Sequence, residues 1–541
     1  MPGWNIAEVW EAVADVQPDA PAQVHRDRRF TWKEFDGRAD GVAAAFLELG
    51  VERQDKVAQY LYNGPEYLES LYAAWKAGLV PVNTNYRYTD DELAYLWDNA
   101  DAVAVVFHGS FTETIERMRE RVPRVRLWLW VDDGSGPCPD WARPYEEVAG
   151  AAPPERVVPP WGRDGDDLYM LYTGGTTGMP KGTMWRQDDV FSLLNDASPA
   201  PYPADGGPDD VRRIRTEQGP GFGAVPACPL MHGTGALISF GVLIGGGNII
   251  SLPSRHFDPE ELFDTIEQEK ANATVIVGDA FAKPMVRALD ANPGRWDLSS
   301  LLLVYSSGVM WSEPVKEALL KHHPGMLLVD ALGSSEAIGM GTNLSSGGSA
   351  TKTAKFRIGD NAVVLTEDGE QVTPGSGEVG RIGIKGRVPV GYYKDPEKSA
   401  KTFPVIDGIR YSMPGDYATV EADGTVTLLG RGSVVINTGG EKVFPEEVEE
   451  AVKCSAGIRD AVVVGVPDER FGEAVTAVVE LEPGASLDEA AVIASVKERL
   501  AAFKAPKRVL TIGTIGRAPN AKVDYKRLKA YATEQTAAAT G

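Results

Sequence analysis

The chain has 541 residues, too many for one hydrophobic core, so two or more domains are expected. With 43% hydrophobic and 24% charged residues it has the make-up of an ordinary soluble globular protein. Its 54 basic residues against 77 acidic ones leave a net charge of -23, which argues against nucleic acid and anionic lipid as partners.

The N-terminus "MPGWNIAEVWEAVADV" carries acids early and lacks a basic start followed by an apolar run, so no signal peptide is expected. Loops are expected over the proline-rich Ala151–Gly165, the turn-rich Pro199–Arg213 and other breaks between apolar runs. One apolar run, Leu168–Tyr172, reads as a strand and opens into "YTGGTTGMPKG" (Tyr172–Gly182). Glycines there let backbone N–H groups approach an anion, and threonine hydroxyls add donors and a ligand for magnesium. Met179 and Pro180 separate Gly178 from Lys181, which excludes a Walker A loop. A phosphate cradle and a plain surface loop both stay open on these residues alone.

Further along, the apolar segment Leu237–Leu252 is broken by Gly241 and Gly245–Gly247, so it is too short to span a bilayer. In "HFDPEELFDTIEQEKANATVIVG", Asp258 is a helix cap, Pro259 a first-turn residue, and Thr274–Val277 a strand. The strand Leu301–Tyr305, a turn at Ser306–Gly308, a helix from Ser312 and a strand Leu327–Val329 repeat the order. Strand–helix–strand repetition predicts α/β layers with largely parallel sheets. Beyond about residue 360, short strands with glycine turns take over. "GSGEVG" (Gly375–Gly380) precedes a strand and opens no helix, so it is a turn and no dinucleotide fingerprint.

Four polar residues stand out past these elements. Glu336, after a Gly-Ser-Ser turn, suits magnesium, and Asp416, after a glycine turn, suits a sugar diol; taken alone, each reads first as a solvated turn acid. Arg431 lies in the glycine-rich candidate boundary at Gly430–Gly440, and Lys522 follows a Pro-Asn turn. The last hundred residues form a small α+β unit: a helix from Pro445 carrying Val448 and Val452, strands in "DAVVVGV" and "AVTAVVEL", and a capping box of Ser486 and Glu489. The tail "TEQTAAATG" is expected to be disordered. Three distant cysteines, Cys138, Cys228 and Cys454, suggest a reducing compartment, and a cytoplasmic location is expected.

Taken together, "YTGGTTGMPKG", "LGSSEA", "GDYA", "GR" followed by "NTGGEKVFPEEVEE", "FKAPKRV" and "PNAK" resemble the ANL superfamily of adenylate-forming enzymes, in the family's order. "GYYKDPEKSAKTF" and "AAWKAGLVPVNTNYRYTDDEL" extend the resemblance over nearly the whole chain, and "GDAFAKPMVRALDANPGRWDLSSL" and "GVMWSEPVK" are similar to actinobacterial acyl-CoA synthetases for fatty or sterol side-chain acids. The resemblance implies a large N-terminal adenylation domain of parallel-rich α/β layers plus a β subdomain (1–431), and a small mobile α+β lid (432–541). It implies ATP, Mg2+ and coenzyme A, with a carboxylic acid converted to acyl-adenylate and then to thioester. A homodimer is admitted as the assembly, without membrane insertion.

Residue by residue, the resemblance gives the pyrophosphate end of ATP to Thr173, Gly174, Gly175, Thr176, Thr177, Gly178 and Lys181, and magnesium to Thr173 and Glu336. Nucleotide contacts fall to Gly308, Val309, Ala331, Gly333, Ser334, Ser335, Asp416 and Arg431, and Gly439–Gly440 belong to the face that guides the pantetheine of CoA. His232, Gly308 and Leu332 would line the acyl side, His232 being otherwise a core histidine; Lys522 would be the catalytic lysine and Lys181 not. Ser433 and Val434 depart from the usual hinge charges, Leu332 from an aromatic, and Ala521 from a glycine, mildly so if φ there is negative. A stand-alone adenylating enzyme serving an amine or carrier protein, and a non-catalytic nucleotide sensor, remain alternatives.

Overall fold

Two capping boxes, Thr31 with Glu34 and Thr89 with Glu92, start the helices Trp32–Leu47 and Asp90–Asn99. Between them the helix Pro65–Lys76 is buried on every side, although it carries Glu66, Glu69 and Lys76. Each charge has a partner: Glu66 meets Arg28 at 2.6 Å, Glu69 meets Arg38 at 2.8 Å, and Lys76 meets Asp40 at 2.8 Å. Paired charge is what lets this helix enter the interior.

The computed structural model describes residues 3–173, 179–347, 349–438, 441–468, 472–518 and 521–540. The chain divides into two compact units, one of Met1–Gly339, Leu344–Ala350 and Gly386–Ser412, the other of Met340–Asn343, Thr351–Lys385 and Met413–Gly541.

The first unit holds two sheets. One runs Arg28–Thr31, Pro21–His25, Asn248–Ser251, Gly223–Pro226, Ala273–Ile276, Leu303–Ser307, Leu327–Ser334. It is parallel except at its first edge strand. The other runs Gly391–Tyr392, Lys181–Arg186, Leu168–Thr173, Val80–Asn83, Lys56–Tyr60, Ala102–His108, Leu127–Val131, Arg143–Pro144. It is parallel from Leu168–Thr173 onward and antiparallel before it. One apolar core takes Ala224 and Ile249 from the first sheet, Val57 and Leu171 from the second, and Trp10, Phe35, Trp75 and Phe240 from helices. Its aromatic rings meet edge to face, Trp10 on Trp75 at 5.5 Å and Trp75 on Phe240 at 5.2 Å. The parallel α/β layers expected from the sequence are present.

In the second unit, Lys355–Ile358, Val426–Arg431, Asp416–Val420 and Val379–Lys385 pair antiparallel, and Gly375 and Gly377 turn at φ +77° and +75° ahead of Val379. Further on, the hairpin Ile458–Asp468 and Gly472–Leu481 alternates its side chains strictly. Ala461, Val463, Val475 and Val479 pack under the helices Pro445–Lys453 and Glu489–Arg499. Val462, Val464, Val466 and Val478 pack with Leu528 and Ala532 of the helix Tyr525–Thr540.

Three local expectations are corrected. The tail is helical through Thr540, because Leu528 and Ala532 are buried and its alanines favour helix. The segment Pro199–Arg213 is a loop only to Gly207, where the helix Pro208–Gln218 starts on its proline. Asp488, and not Ser486, caps Glu489–Arg499 by accepting from the Ala491 N–H, while Glu489 accepts from the Val509 N–H.

Candidate active site

Parallel strands end in turns, and ligands of open α/β sheets gather at those C-terminal ends. In the first unit the strand ends of the two sheets meet, and four side chains of one sheet fasten the turns of the other.

Asn63, just past the strand Lys56–Tyr60, donates to the carbonyls of Pro226 (3.3 Å) and Cys228 (3.0 Å) and accepts from the Leu230 N–H at 2.7 Å. Asn83, the last residue of Val80–Asn83, donates to the carbonyls of Tyr172 (2.8 Å) and Met231 (2.7 Å) and accepts from the Tyr172 N–H at 2.6 Å. Trp185 Nε1 donates to the Ser335 carbonyl at 2.8 Å, and the Tyr392 hydroxyl donates to Glu336 Oε1 at 2.9 Å. Trp185 and Asn83 are buried, so these bonds sit where water cannot replace them.

The "YTGGTTGMPKG" loop joins the strand Leu168–Thr173 to the strand Lys181–Arg186, and Thr173 and Lys181 are Cα partners across that hairpin. Gly174, Gly175, Thr176, Thr177 and Gly178 lie outside the described residues. A strand–loop–strand setting is further reason against a Walker loop, which opens a helix. The Lys181 ammonium lies 5.7 Å from the Tyr392 ring centre. Burial lowers its pKa below the usual lysine range, with Lys398 adding to this and Asp395 and Glu336 opposing it.

The strand Leu327–Ser334 ends in the turn carrying Ser335 and Glu336. The Glu336 N–H donates to Ser334 Oγ at 3.2 Å, and Ser412 Oγ donates to the Glu336 carbonyl. Ala331 and Leu332 are buried, and Gly333 is half-buried. Beneath them Lys316 Nζ meets Asp330 Oδ2 at 3.3 Å, and burial pushes the Asp330 carboxyl up to about 6 against the pull of Lys316.

The strand Leu303–Ser307 takes in Ser306 and Ser307, which the sequence had placed in a turn; Gly308 opens the bend that follows with φ +95°, and Val309 behind it is half-buried. A Cβ on Gly308 would stand 3.6 Å from Thr234 Oγ1, which places this turn beside the start of the helix Gly233–Ile244. His232 is the residue before that helix, half-buried, its N–H donating to the Pro229 carbonyl at 3.1 Å. The unit therefore gathers Thr173, Lys181, His232, Gly308 and Ser335–Glu336 around the strand ends.

The second unit carries the other named residues. Asp416 opens the strand Asp416–Val420 after Gly415, which has φ +99°, and Arg431 closes the strand Val426–Arg431. They are Cα partners, with Arg431 Nε 3.4 Å from Asp416 Oδ1. The Arg431 N–H donates to Glu446 Oε1 at 3.3 Å. Lys522 is exposed, and its carbonyl accepts from the Ala518 N–H at 2.9 Å. Arg517 Nη1 donates to the Ala521 carbonyl at 3.0 Å while its Nε holds Asp460 at 2.6 Å, so the backbone before Lys522 is anchored to the hairpin. Ala521 has φ +58°, not the negative value that makes alanine for glycine mild, so the position is strained. Gly439 and Gly440 lie outside the described residues, and Gly432–Val434 form one 3-10 turn.

The sequence reading missed Asn63, Asn83, Trp185, Ser412 and Tyr392 as site supports. Asn83 and Tyr392 lie inside "AAWKAGLVPVNTNYRYTDDEL" and "GYYKDPEKSAKTF", which served only to extend the resemblance, while Asn63, Trp185 and Ser412 had no site role read from the sequence; only the fold brings all five to the strand ends.

Comparison with known proteins fits this arrangement. Residues 10–393 match the family model described as AMP-binding enzyme, and residues 447–522 match AMP-binding enzyme C-terminal domain. A medium/long-chain-fatty-acid–CoA/3-oxocholest-4-en-26-oate–CoA ligase of Mycobacterium tuberculosis is 39% identical over 99% of this chain and 96% of its own. A 3-oxocholest-4-en-26-oate–CoA ligase of Rhodococcus rhodochrous is 39% identical over 98% of this chain and 96% of its own. Among solved structures, an anthranilate CoA ligase in complex with anthranoyl-AMP superposes with TM-score 0.84 at 20% identity, covering 99% of both chains. ATP-bound MatB from Rhodopseudomonas palustris superposes with TM-score 0.78 at 25% identity, covering 98% of this chain and 99% of that one.

Proposed function

Because the chain belongs to the AMP-binding enzyme family, of the ANL superfamily, we propose that it is an AMP-forming acid–CoA ligase acting on a fatty or steroid side-chain carboxylic acid. The observation that carries the reading is the joining, within one unit, of the loop-bearing hairpin to the Ser335–Glu336 turn through Trp185 and Tyr392. Such a joint holds phosphate-binding and carboxylate groups at fixed separation, which transfer at phosphorus requires.

The acid needs no general base, since a carboxylate is already ionised near neutral pH. It attacks the α-phosphorus of ATP, forming acyl-adenylate and releasing pyrophosphate; the thiol of CoA then attacks the acyl carbon and AMP leaves. The chain's part is to position and to neutralise charge. Thr173 and Lys181 take the departing pyrophosphate with the loop between them. Ser335 serves the α-phosphate, Asp416 accepts hydrogen bonds from the ribose hydroxyls with Arg431 beside it, and Lys522 stabilises the charge that builds on the α-phosphate oxygens. His232, Gly308 and Leu332 serve the acyl side. We assign 1–431 to adenylation and 432–541 to a mobile lid, and place the enzyme in the cytoplasm, with Cys138, Cys228 and Cys454 free thiols.

The donor set at the turn fits magnesium. Among the described residues no group of three or more His, Cys, Asp or Glu side chains is placed to hold a metal. One carboxylate, Glu336, and one hydroxyl, Thr173, suit an ion that keeps most of its waters and arrives on phosphates. When bound, the ion neutralises phosphate charge.

The test is pyrophosphate release across acids of increasing size, with and without CoA. Fatty and steroid side-chain acids should give ATP- and CoA-dependent thioester; no thioester from any acid would defeat the ligase reading. Lys522→Ala should lower acyl-adenylate formation by about 100- to 1,000-fold while ATP still binds. A nucleotide sensor would bind ATP and turn over nothing, and an amine-directed enzyme would consume acid without CoA.

A further inference from the structure

Tyr392 lies in neither the loop nor the Ser335–Glu336 turn, yet it touches both neighbourhoods. Its backbone belongs to the loop hairpin: Gly391 and Tyr392 pair with Met184 and Thr183, and the flanking N–H groups of Val390 and Tyr393 donate to the carbonyls of Met184 and Gly182, each at 2.8 Å. Ser399 Oγ accepts from the Tyr392 N–H at 2.8 Å, and the ring packs against Phe403 at 5.4 Å. The side chain is buried, 7% exposed, so neither ring nor backbone has room to drift. From this mount the hydroxyl reaches Glu336 Oε1, and the ring lies beside the Lys181 ammonium.

We propose that Tyr392 is a positioning residue for the cation that accompanies ATP: it tethers one oxygen of Glu336 to the hairpin strand Lys181–Arg186 and so holds Oε2 in a fixed orientation relative to that strand. The proposal rests on the reading of Glu336 as the cation's carboxylate. A glutamate on a turn has three rotatable bonds, and a single-carboxylate magnesium site gains nothing from a ligand that must be ordered on binding. A hydrogen-bonded neighbour that fixes a ligating carboxylate commonly governs metal affinity by about 10- to 100-fold. The hydroxyl also ties the loop hairpin to the turn on the other sheet, so cation and phosphate contacts are set by one rigid part. The bland account is that a buried tyrosine hydroxyl needs an acceptor and Glu336 is the nearest one. The two accounts differ in what removal of the hydroxyl does to magnesium alone.

The experiment is calorimetric titration of the full chain with ATP, once with magnesium chloride and once with EDTA, for wild type, Tyr392→Phe and Glu336→Gln. Phenylalanine keeps the ring packing on Phe403, and a thermal melt confirms that the variant is folded. Wild type should bind ATP more tightly with magnesium. Tyr392→Phe should lose about tenfold of that magnesium-dependent gain, with affinity in EDTA unchanged and a melting temperature lowered by no more than the loss of one hydrogen bond. An unchanged gain, or an equal loss with and without magnesium, overturns the positioning role. If wild type shows no magnesium gain, or Glu336→Gln keeps it in full, the reading of Glu336 itself fails, and that outcome is separable from a failure at Tyr392 alone.

Discussion

Asn83 holds both backbone groups of Tyr172, its Oδ1 accepting from the N–H at 2.6 Å and its Nδ2 donating to the carbonyl at 2.8 Å. The same Nδ2 reaches the Met231 carbonyl at 2.7 Å. One buried amide thus sets the exit of the loop strand and the turn leading to His232. Asn83→Ala leaves three buried backbone groups without their partner, at about 1–3 kcal/mol each before relaxation. A loss of at least about 3 kcal/mol in a urea melt is expected, together with impaired ATP binding, since Thr173 follows directly. A loss within the error of the melt would show that the clamp is dispensable.

Gly430 and Glu446 interlock. Gly430 has φ +125°, and a Cβ there would collide with the Glu446 carboxylate. Gly430→Ala therefore combines backbone strain of about 1–3 kcal/mol with overlap. In a Glu446→Ala background the overlap disappears and the backbone term alone remains. The cost of Gly430→Ala should be smaller in that background by at least about 1 kcal/mol, read from a double-mutant cycle of unfolding free energies. Equal costs in both backgrounds would place the whole effect in the backbone.

Stability should fall with pH through Glu446. Burial pushes its carboxyl from the ordinary 4.5 up to about 8, with Glu449 and Asp416 adding to the rise and the Arg431 N–H opposing it. Between those values the folded chain keeps a proton that the unfolded chain has lost, so folding takes up a proton. The contribution is complete below 4.5 and is lost as pH rises through about 8, with a slope of at most about 1.4 kcal/mol per pH unit. Glu446→Gln, neutral at every pH, should gain on wild type steadily from pH 5 to pH 8. Parallel urea midpoints for the two proteins across that range would refute the raised carboxyl.

Ala521→Gly should be nearly neutral, although Ala521 has φ +58°. Relief of left-handed strain favours glycine by about 1 kcal/mol. Against it stand the extra backbone entropy of glycine, about 0.5–1 kcal/mol, and the loss of a buried methyl worth about 0.8 kcal/mol. The terms offset to within about 1 kcal/mol. Ala521→Val keeps the strain and adds a branch, and should cost more than about 2 kcal/mol. A valine variant as stable as wild type would contradict the strained geometry.

Some parts of this molecule were legible because local chemistry decides them. Asp258 caps and Pro259 starts its helix as expected, since an Asx side chain beside a proline settles the first turn by itself. Glycine turns such as Gly415 before Asp416 needed no tertiary contact either. The C-terminal tail was misread because its short polar composition says nothing of the groove that buries Leu528 and Ala532. Tyr172–Gly182 showed a loop after a strand, but not that a second strand returns from it, because β pairing depends on residues elsewhere in the chain.

By itself the sequence determined which polar residues stand at turns along the chain, and in what order. Thr173, Lys181, Glu336, Asp416 and Arg431 each stand beside a glycine, proline or serine, and Lys522 follows the Pro519–Asn520 pair; such residues favour a turn, and a turn is a local event. Only the tertiary structure decided what holds them. Asn63, Asn83, Trp185 and Tyr392 act through hydrogen bonds across more than fifty positions of sequence, the first three to backbone carbonyls that carry no mark of their own and Tyr392 to the Glu336 carboxylate. Such bonds exist because two sheets bring their strand ends together and exclude water there, and burial is a property of the packed chain and not of any stretch of it.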